Sequence, residues 1–191
     1  MFSEEEFQVQ CHQEIEEYIS NSAYPQIESS IEVPIIKDCT FVIGEKPKLI
    51  LGHAKTDVCL YIESKELSDH LVETDHFKLY QNGDKKIRVP LAIFEIKRGN
   101  TNGRISTDAI RSRTIIAREI NEIFPSCSYY FVGDRASAVS PEKIQRAGKH
   151  YDDYFLCSEL ADSAWIRENV VGKAVEPLLS DLQRERILPV E

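Results

Sequence analysis

Residues Pro90–Asn100 read PLAIFEIKRGN, an apolar run that suddenly carries Glu95 and Lys97. On a strand, residues at i and i+2 point to the same face. Ionised groups away from water are costly unless they are paired or bind a metal. An acid and an amine side by side on one face of a buried strand, closing at Gly99, point to a site that handles a metal ion and a water molecule.

The flanking sequence supplies a sheet for this strand. Phe77–Tyr80 and Ile87–Lys97 bracket Asn82-Gly83, a dipeptide that signals a hairpin. Lys48–Gly52 and Asp57–Ile62 are further strand candidates, and Ser64–Glu73 reads as a short helix or an excursion. Upstream, Phe7, Cys11, Ile15, Tyr18 and Ile19 recur at helical spacing, so residues 4–20 form an amphipathic helix. Ser3 with Glu6 makes its capping box. Asn21–Thr40, with Pro25 and Pro34, reads as loop with one short strand at most.

Downstream, Thr101–Arg104 is polar loop. Ser106 or Thr107 caps a helix to about Phe124, which Pro125 ends. Tyr129–Val132 is a strand, Pro141–His150 a short helix and Tyr154–Cys157 a strand. Ser163 to about Arg186 is helical with interruptions near Gly172 and Pro177. The order is helix, three or four strands, helix, strand, helix, strand, helix. That is an α/β protein with a central mixed sheet flanked by helices. The 191 residues suit one domain, 1–191.

No apolar run is long enough to span a membrane, and the N-terminal MFSEEEF lacks the basic and apolar regions of a signal peptide. Five scattered cysteines without a CxxC argue against a structural zinc site and fit reduced thiols in a cytoplasm. The net charge of −9 is unevenly spread. From His76 to Arg118 ten Lys/Arg face three acids, a segment of +7, while the remainder carries −16. A basic segment on an acidic body reads either as a solvated basic surface or as a phosphate-facing patch, the reading its position favours. It brackets Glu95 and Lys97.

Asp57 opens the run VCLYIE and can lie on a strand next to Glu95. An Asp and a Glu on adjacent strands offer the hard oxygen ligands that Mg²⁺ prefers. Lys97 beside them can orient or polarise an attacking water, and a metal lowers that water's pKa and neutralises charge developing on a phosphate.

Asp57, a spacer, and then Glu95-Ile96-Lys97 after an apolar strand resemble the PD-(D/E)xK nucleases. The resemblance implies a restriction-endonuclease-like core: a helix, antiparallel strands bearing the acids, a crossover helix and a further strand. It implies Mg²⁺-dependent phosphodiester hydrolysis, with Mn²⁺ able to substitute. By that pattern Asp57 and Glu95 are metal ligands, helped by the Ile96 backbone carbonyl, and Lys97 orients the water. Two departures stand out. Thr56 occupies the place of the motif's proline, and the 38 positions from Asp57 to Glu95 are long and must house an excursion. Glu14, at the edge of the first helix's apolar stripe, is a candidate to join from that helix, with Glu17 as its fallback. Lys85, Lys86, Arg88, Arg98, Arg104, Arg111 and Arg113 are candidate contacts to a DNA backbone.

Other readings fit less well. His76-Phe77-Lys78 begins the phospholipase-D pattern, but the acid comes a residue late at Asp84 and there is one copy. The helix TDAIRSRTIIAREI lacks the Gln and Tyr usual in recombination nucleases. Sequence-specific reading of double-stranded DNA needs a substantial element, and residues 134–191 are not markedly basic. The expectation is therefore a cleavage subunit that relies on a larger recognition subunit, like the small subunits of heterodimeric type IIS restriction endonucleases. The alternatives are a homodimeric type II restriction enzyme and an inactive interaction module that keeps the nuclease fold.

Overall fold

The first helix, α1 (Glu4–Ser20), begins at the expected capping box, in which the Ser3 and Glu6 side chains each accept from the other's backbone N–H. Phe7, Cys11, Ile15 and Ile19 recur every four residues and are buried, the stripe that lays a helix on a sheet. The computed structural model describes residues 3–42, 48–64, 77–79 and 87–184. The strands are β1 (Glu28–Val42), β2 (Lys48–Ser64), β3 (Phe77–Leu79), β4 (Ile87–Arg98), β5 (Ser128–Asp134) and β6 (Asp153–Leu156). They form one mixed sheet in the order β1-β2-β4-β5-β6, with β3 attached to β2. β1, β2 and β4 are antiparallel neighbours, and β4, β5 and β6 are parallel.

Parallel neighbours need crossover connections. Helix α2 (Thr107–Ile123), capped by the Ser106 side chain, makes the one from β4 to β5, and α3 (Pro141–Ala147) the one from β5 to β6. A C-terminal helical stretch joins α4 (Ser163–Ile166), a π-helical segment (Arg167–Val175) and α5 (Glu176–Arg184). Strand alternation sorts the core into two layers. Val58, Leu60, Phe94 and Ile96 pack with α1 and the C-terminal helices. Cys59, Tyr61, Ile93 and Tyr129 pack with Ala117 and Ile120 of α2. The sheet is thus flanked by helices on both faces.

Four expectations are corrected. The loop expected over Asn21–Thr40 is, from Glu28 onward, the long strand β1. β1 is an edge strand, where Pro34 removes no ladder bond the sheet needs. The two strands expected at Lys48–Gly52 and Asp57–Ile62 are one, because His53–Thr56 continues the ladder against Val33–Ile36. Phe77–Leu79 lies parallel to β2 at Leu49–Leu51 rather than forming one arm of a hairpin; the hairpin side of β4, Ile87–Phe94, is already paired with β2. The Asn82-Gly83 turn and most of the excursion after Ser64 lie outside the described residues. Gly172 and Pro177 do not interrupt the C-terminal helix. The backbone there widens to π pairing, with the Glu176 N–H donating to the Val171 carbonyl five residues back.

Among the described residues no helix is long and apolar enough to cross a membrane. All five cysteines are free, and Cys11, Cys59, Cys127 and Cys157 are buried.

Candidate functional site

The sheet forks at the acids. β2 and β4 are paired from Ser64 and Ile87 down to Val58 and Phe94. Beyond that point β2 stays with β1, through Thr56 opposite Val33, while β4 stays with β5 as far as Asp134. Asp57 and Glu95 are the first residues past the last β2–β4 pair, one on each arm. Both continue the face of Cys59, Tyr61 and Ile93, which α2 covers. Lys97, two residues on from Glu95, shares that face.

The side chains converge in the fork. Lys97 Nζ lies 2.8 Å from Glu95 Oε1 and 3.1 Å from Asp57 Oδ2. It also donates to the Ile96 carbonyl at 2.6 Å and reaches Glu4 Oε1 of α1 at 3.3 Å. The Ile96 backbone N–H donates to Asp57 Oδ2 at 2.8 Å, tying the arms together where the ladder has stopped. From α2, Arg113 Nε sits 3.0 Å from Glu95 Oε1, and its guanidinium reaches Asp57 Oδ1 at 4.0 Å. From α1, Gln8 Nε2 donates to the Asp57 carbonyl at 2.6 Å. Thr56, in place of the motif's proline, is buried and donates to the Val33 carbonyl, which holds β2 on β1 as it leaves β4.

Glu95 is fully buried, and its Oε2 has no hydrogen-bond partner. Burial first, and the neighbouring Asp57 charge second, push its pKa up to about 7, against the pull of Lys97 and Arg113. Burial works to lower the pKa of Lys97 and of Arg113, but Glu95 and Asp57 outweigh it and both stay above their ordinary values. Asp57 keeps a sixth of its side-chain surface open (17%) and Lys97 rather less (13%), so solvent enters from their side. Opposite Asp57 in the β1 register, Glu32 adopts a left-handed backbone with φ 53°, a conformation that costs a non-glycine residue roughly 1 kcal/mol.

No protein-family model matches this chain, and no curated protein matches it. The site is therefore read from its own geometry.

Asp57, Glu95 and Lys97, singled out in the sequence, come together. Glu14 does not join them. It is buried against the C-terminal helix, paired with Arg167, which also holds Glu17 at 2.8 Å. The residues α1 sends to the fork are Glu4 and Gln8, a turn apart on the side of Phe7 and Cys11; helical spacing shows that side, but nothing in the sequence says which strand it meets. Arg113, a candidate backbone contact, lies beside the two acids of the fork. Arg98 is also committed. Its Nε pairs with buried Asp134 at 3.0 Å, and its guanidinium donates to the Ser3 carbonyl. Arg88 lies over the Tyr61 ring, seven residues along β4 from Glu95; at about 3.3 Å per residue that is roughly 23 Å away. Arg104 and Arg111 are exposed. Lys85 and Lys86 lie outside the described residues.

Among the described residues no group of three or more His, Cys, Asp or Glu side chains is arranged around a metal position. What the fork offers is two carboxylates and the Ile96 carbonyl, all hard oxygen donors. The orphaned Glu95 Oε2, in a pocket that disfavours its charge, is a group a cation would satisfy. Mg²⁺ commonly takes one or two protein carboxylates and keeps several waters, so this set fits it.

Proposed function

We propose that this chain is a Mg²⁺-dependent endonuclease hydrolysing DNA phosphodiester bonds, built on a restriction-endonuclease-like core. One observation carries the reading: Asp57 and Glu95 sit on the two arms of a sheet fork, on one face, with the Lys97 ammonium between them. Supporting it are the order of elements, in which helix, antiparallel strands, crossover helix and parallel strand follow one another, and the basic run from His76 to Arg118.

Asp57, Glu95 and the Ile96 carbonyl would hold the ion. Bound there, Mg²⁺ supplies charge neutralisation for a phosphate and an acidified water. Lys97 orients the nucleophilic water by hydrogen bonding from its Nζ, and the two acids hold that ammonium in place. Arg113 stands ready to contact a phosphate oxygen once the acids no longer need its charge. Gln8 fixes the Asp57 backbone and so the spacing of the arms. The acid-rich remainder, with no separate reading element among the described residues, favours the role of a strand-cleaving subunit of a type IIS restriction endonuclease, partnered by a larger recognition subunit.

Supercoiled plasmid incubated with the purified chain and Mg²⁺ tests the reading. Nicking that disappears in EDTA and in Asp57→Ala is expected, and its absence, with and without products of neighbouring reading frames, sinks it. Site-specific double-strand cleavage by the chain alone would replace the subunit with a homodimeric type II enzyme. A second reading draws on the ion pairs themselves. Lys97 and Arg113 already compensate both acids, as they would in an interaction module that never binds metal. Calorimetric titration with Mn²⁺ separates the two, since the module shows no saturable heat.

A further inference from the structure

Helix α2 carries a second set of cations on its other side. Arg111, Ile115 and Arg118 follow one another at helical spacing and are exposed, Ile115 by half (50%). With Arg146 at the end of α3 and Lys149 and His150 just after it, they line a groove of about 400 Å³. The groove is built rather than incidental: Thr114 beneath it is buried, and its hydroxyl accepts from the His150 backbone N–H, pinning the segment after α3 onto α2. The lining contains no acid. Arg118 has one weak partner, Glu122 at 3.6 Å. Among the described residues Arg111, Arg146 and Lys149 have none. In a chain with 32 acidic and 23 basic residues, three unpaired cations around one concavity are unexpected.

We infer that this groove binds the phosphodiester backbone of duplex DNA. The inference rests on the nuclease reading only for the identity of the polyanion. Arg111 and Arg113 are two residues apart on α2, one lining the groove and the other in the fork, so the two sites are separated by about a helix diameter, ~10–12 Å. The major groove of B-DNA is ~12 Å wide, so phosphates on its two sides reach both positions. The lining cations meet the phosphates, and the half-exposed Ile115 among them meets the sugars. Outside residues 76–118 and the groove's own Arg146 and Lys149, the chain carries −18 and repels a polyanion elsewhere. Such contacts hold the duplex in place and read no sequence, which suits a cleaving subunit.

The test is fluorescence anisotropy of a 30-base-pair duplex with the full chain in EDTA, over a range of salt. Each phosphate contact contributes about 0.9 to the slope of log K against log salt, and so about 8-fold in affinity near 0.1 M salt. Arg146→Ala/Lys149→Ala, with neither residue in the fork, should therefore bind tens of fold more weakly and lose about 2 from the slope. Lys173→Ala/Arg184→Ala makes the same charge change on the C-terminal helices and should bind like wild type. Equal weakening in both pairs, or no weakening in the first, overturns the inference. So does poly-L-glutamate binding the wild type at least as tightly as the duplex and losing affinity in the first pair, which marks an acidic protein as the occupant. Should circular dichroism show the double variant misfolded, Arg111→Gln carries the same test with half the slope change. The two readings fail separately: plasmid nicking with intact binding by the groove variants removes the groove alone, and groove-dependent binding without Mg²⁺-dependent nicking removes the nuclease alone.

Discussion

Replacing Glu95 by Gln should make the metal-free protein more stable at neutral pH while removing its activity. The Glu95 pKa is raised from 4.5 to about 7, by burial first and by Asp57 second. Between those two values the native state holds a proton that the unfolded chain has released. Stability then falls as pH rises. The contribution is fully present below about pH 4.5, is lost progressively up to about pH 7 and is flat above. At 1.36 kcal/mol per pH unit, the loss is about 3 kcal/mol. Glu95 is fully buried, so solvent screening takes little from it. Gln keeps the shape and cannot ionise. Lys97 and Arg113 lose one partner in the variant, but both remain cationic across this range, which adds an offset that does not vary with pH. Urea unfolding followed by fluorescence of the single tryptophan, Trp165, which packs on the core, gives the comparison. Measured in EDTA, the variant should gain about 3 kcal/mol on wild type between pH 4.5 and 7.5, roughly 6–12 °C in Tm for a domain of this size. Adding Mn²⁺ should recover stability for wild type and not for the variant. A difference between the two proteins that stays constant with pH would refute the claim that Glu95 is a strained, charge-starved acid.

Three further outcomes are expected. Asp57→Ala and Lys97→Ala should each lower plasmid nicking at least about 100-fold with unchanged circular dichroism, and retained activity in either would displace the site. Arg113→Met removes a cation from the two acids and should tighten Mn²⁺ binding by calorimetry several-fold while slowing cleavage; weaker metal binding would mean that Arg113 organises the acids rather than competing for them. Glu32→Gly relieves the left-handed backbone opposite Asp57 and gives up only an exposed ion pair to Lys55, so it should raise stability by about 1 kcal/mol; a loss measured in urea would place the strain elsewhere.

The parts of the fold that could be read from the sequence are those whose signals are local. Ser3 and Glu6, the four-residue recurrence from Phe7 to Ile19, and Ser106 ahead of α2 all act within a few residues, and each marks its element correctly. β1 was illegible for a physical reason. Past Ile36 it runs out from under the helices: Asp38, Cys39 and Thr40 are exposed, so no face demands apolar residues and the two-residue alternation fades. The middle of β2 was hidden because exposed Lys55 sits between buried Ala54 and Thr56, on a stretch that pairs with β1 and not with β4.

The site follows the same division. Glu95 and Lys97 were conspicuous because a buried strand has no cheap use for charge, and Asp57 because it opens an apolar run. Glu4, Gln8 and Arg113 were not, because what places them is the packing of α1 and α2 across the sheet, which no spacing within either helix encodes. Glu14 shows the limit from the other side. Its position beside the apolar stripe made it a candidate for the site, but the structure buries it against Arg167 rather than against the strands. A helix 17 residues long covers about 25 Å, more than a fork can occupy, so only one end of it can serve the acids. That end is the N-terminal turn, where Glu4 meets Lys97 and the Arg98 backbone N–H. The capping box and the site are thereby coupled: Ser3 starts the helix, offers its carbonyl to Arg98, and sets where Glu4 and Gln8 fall. Disrupting the cap should loosen the fork as well as the helix.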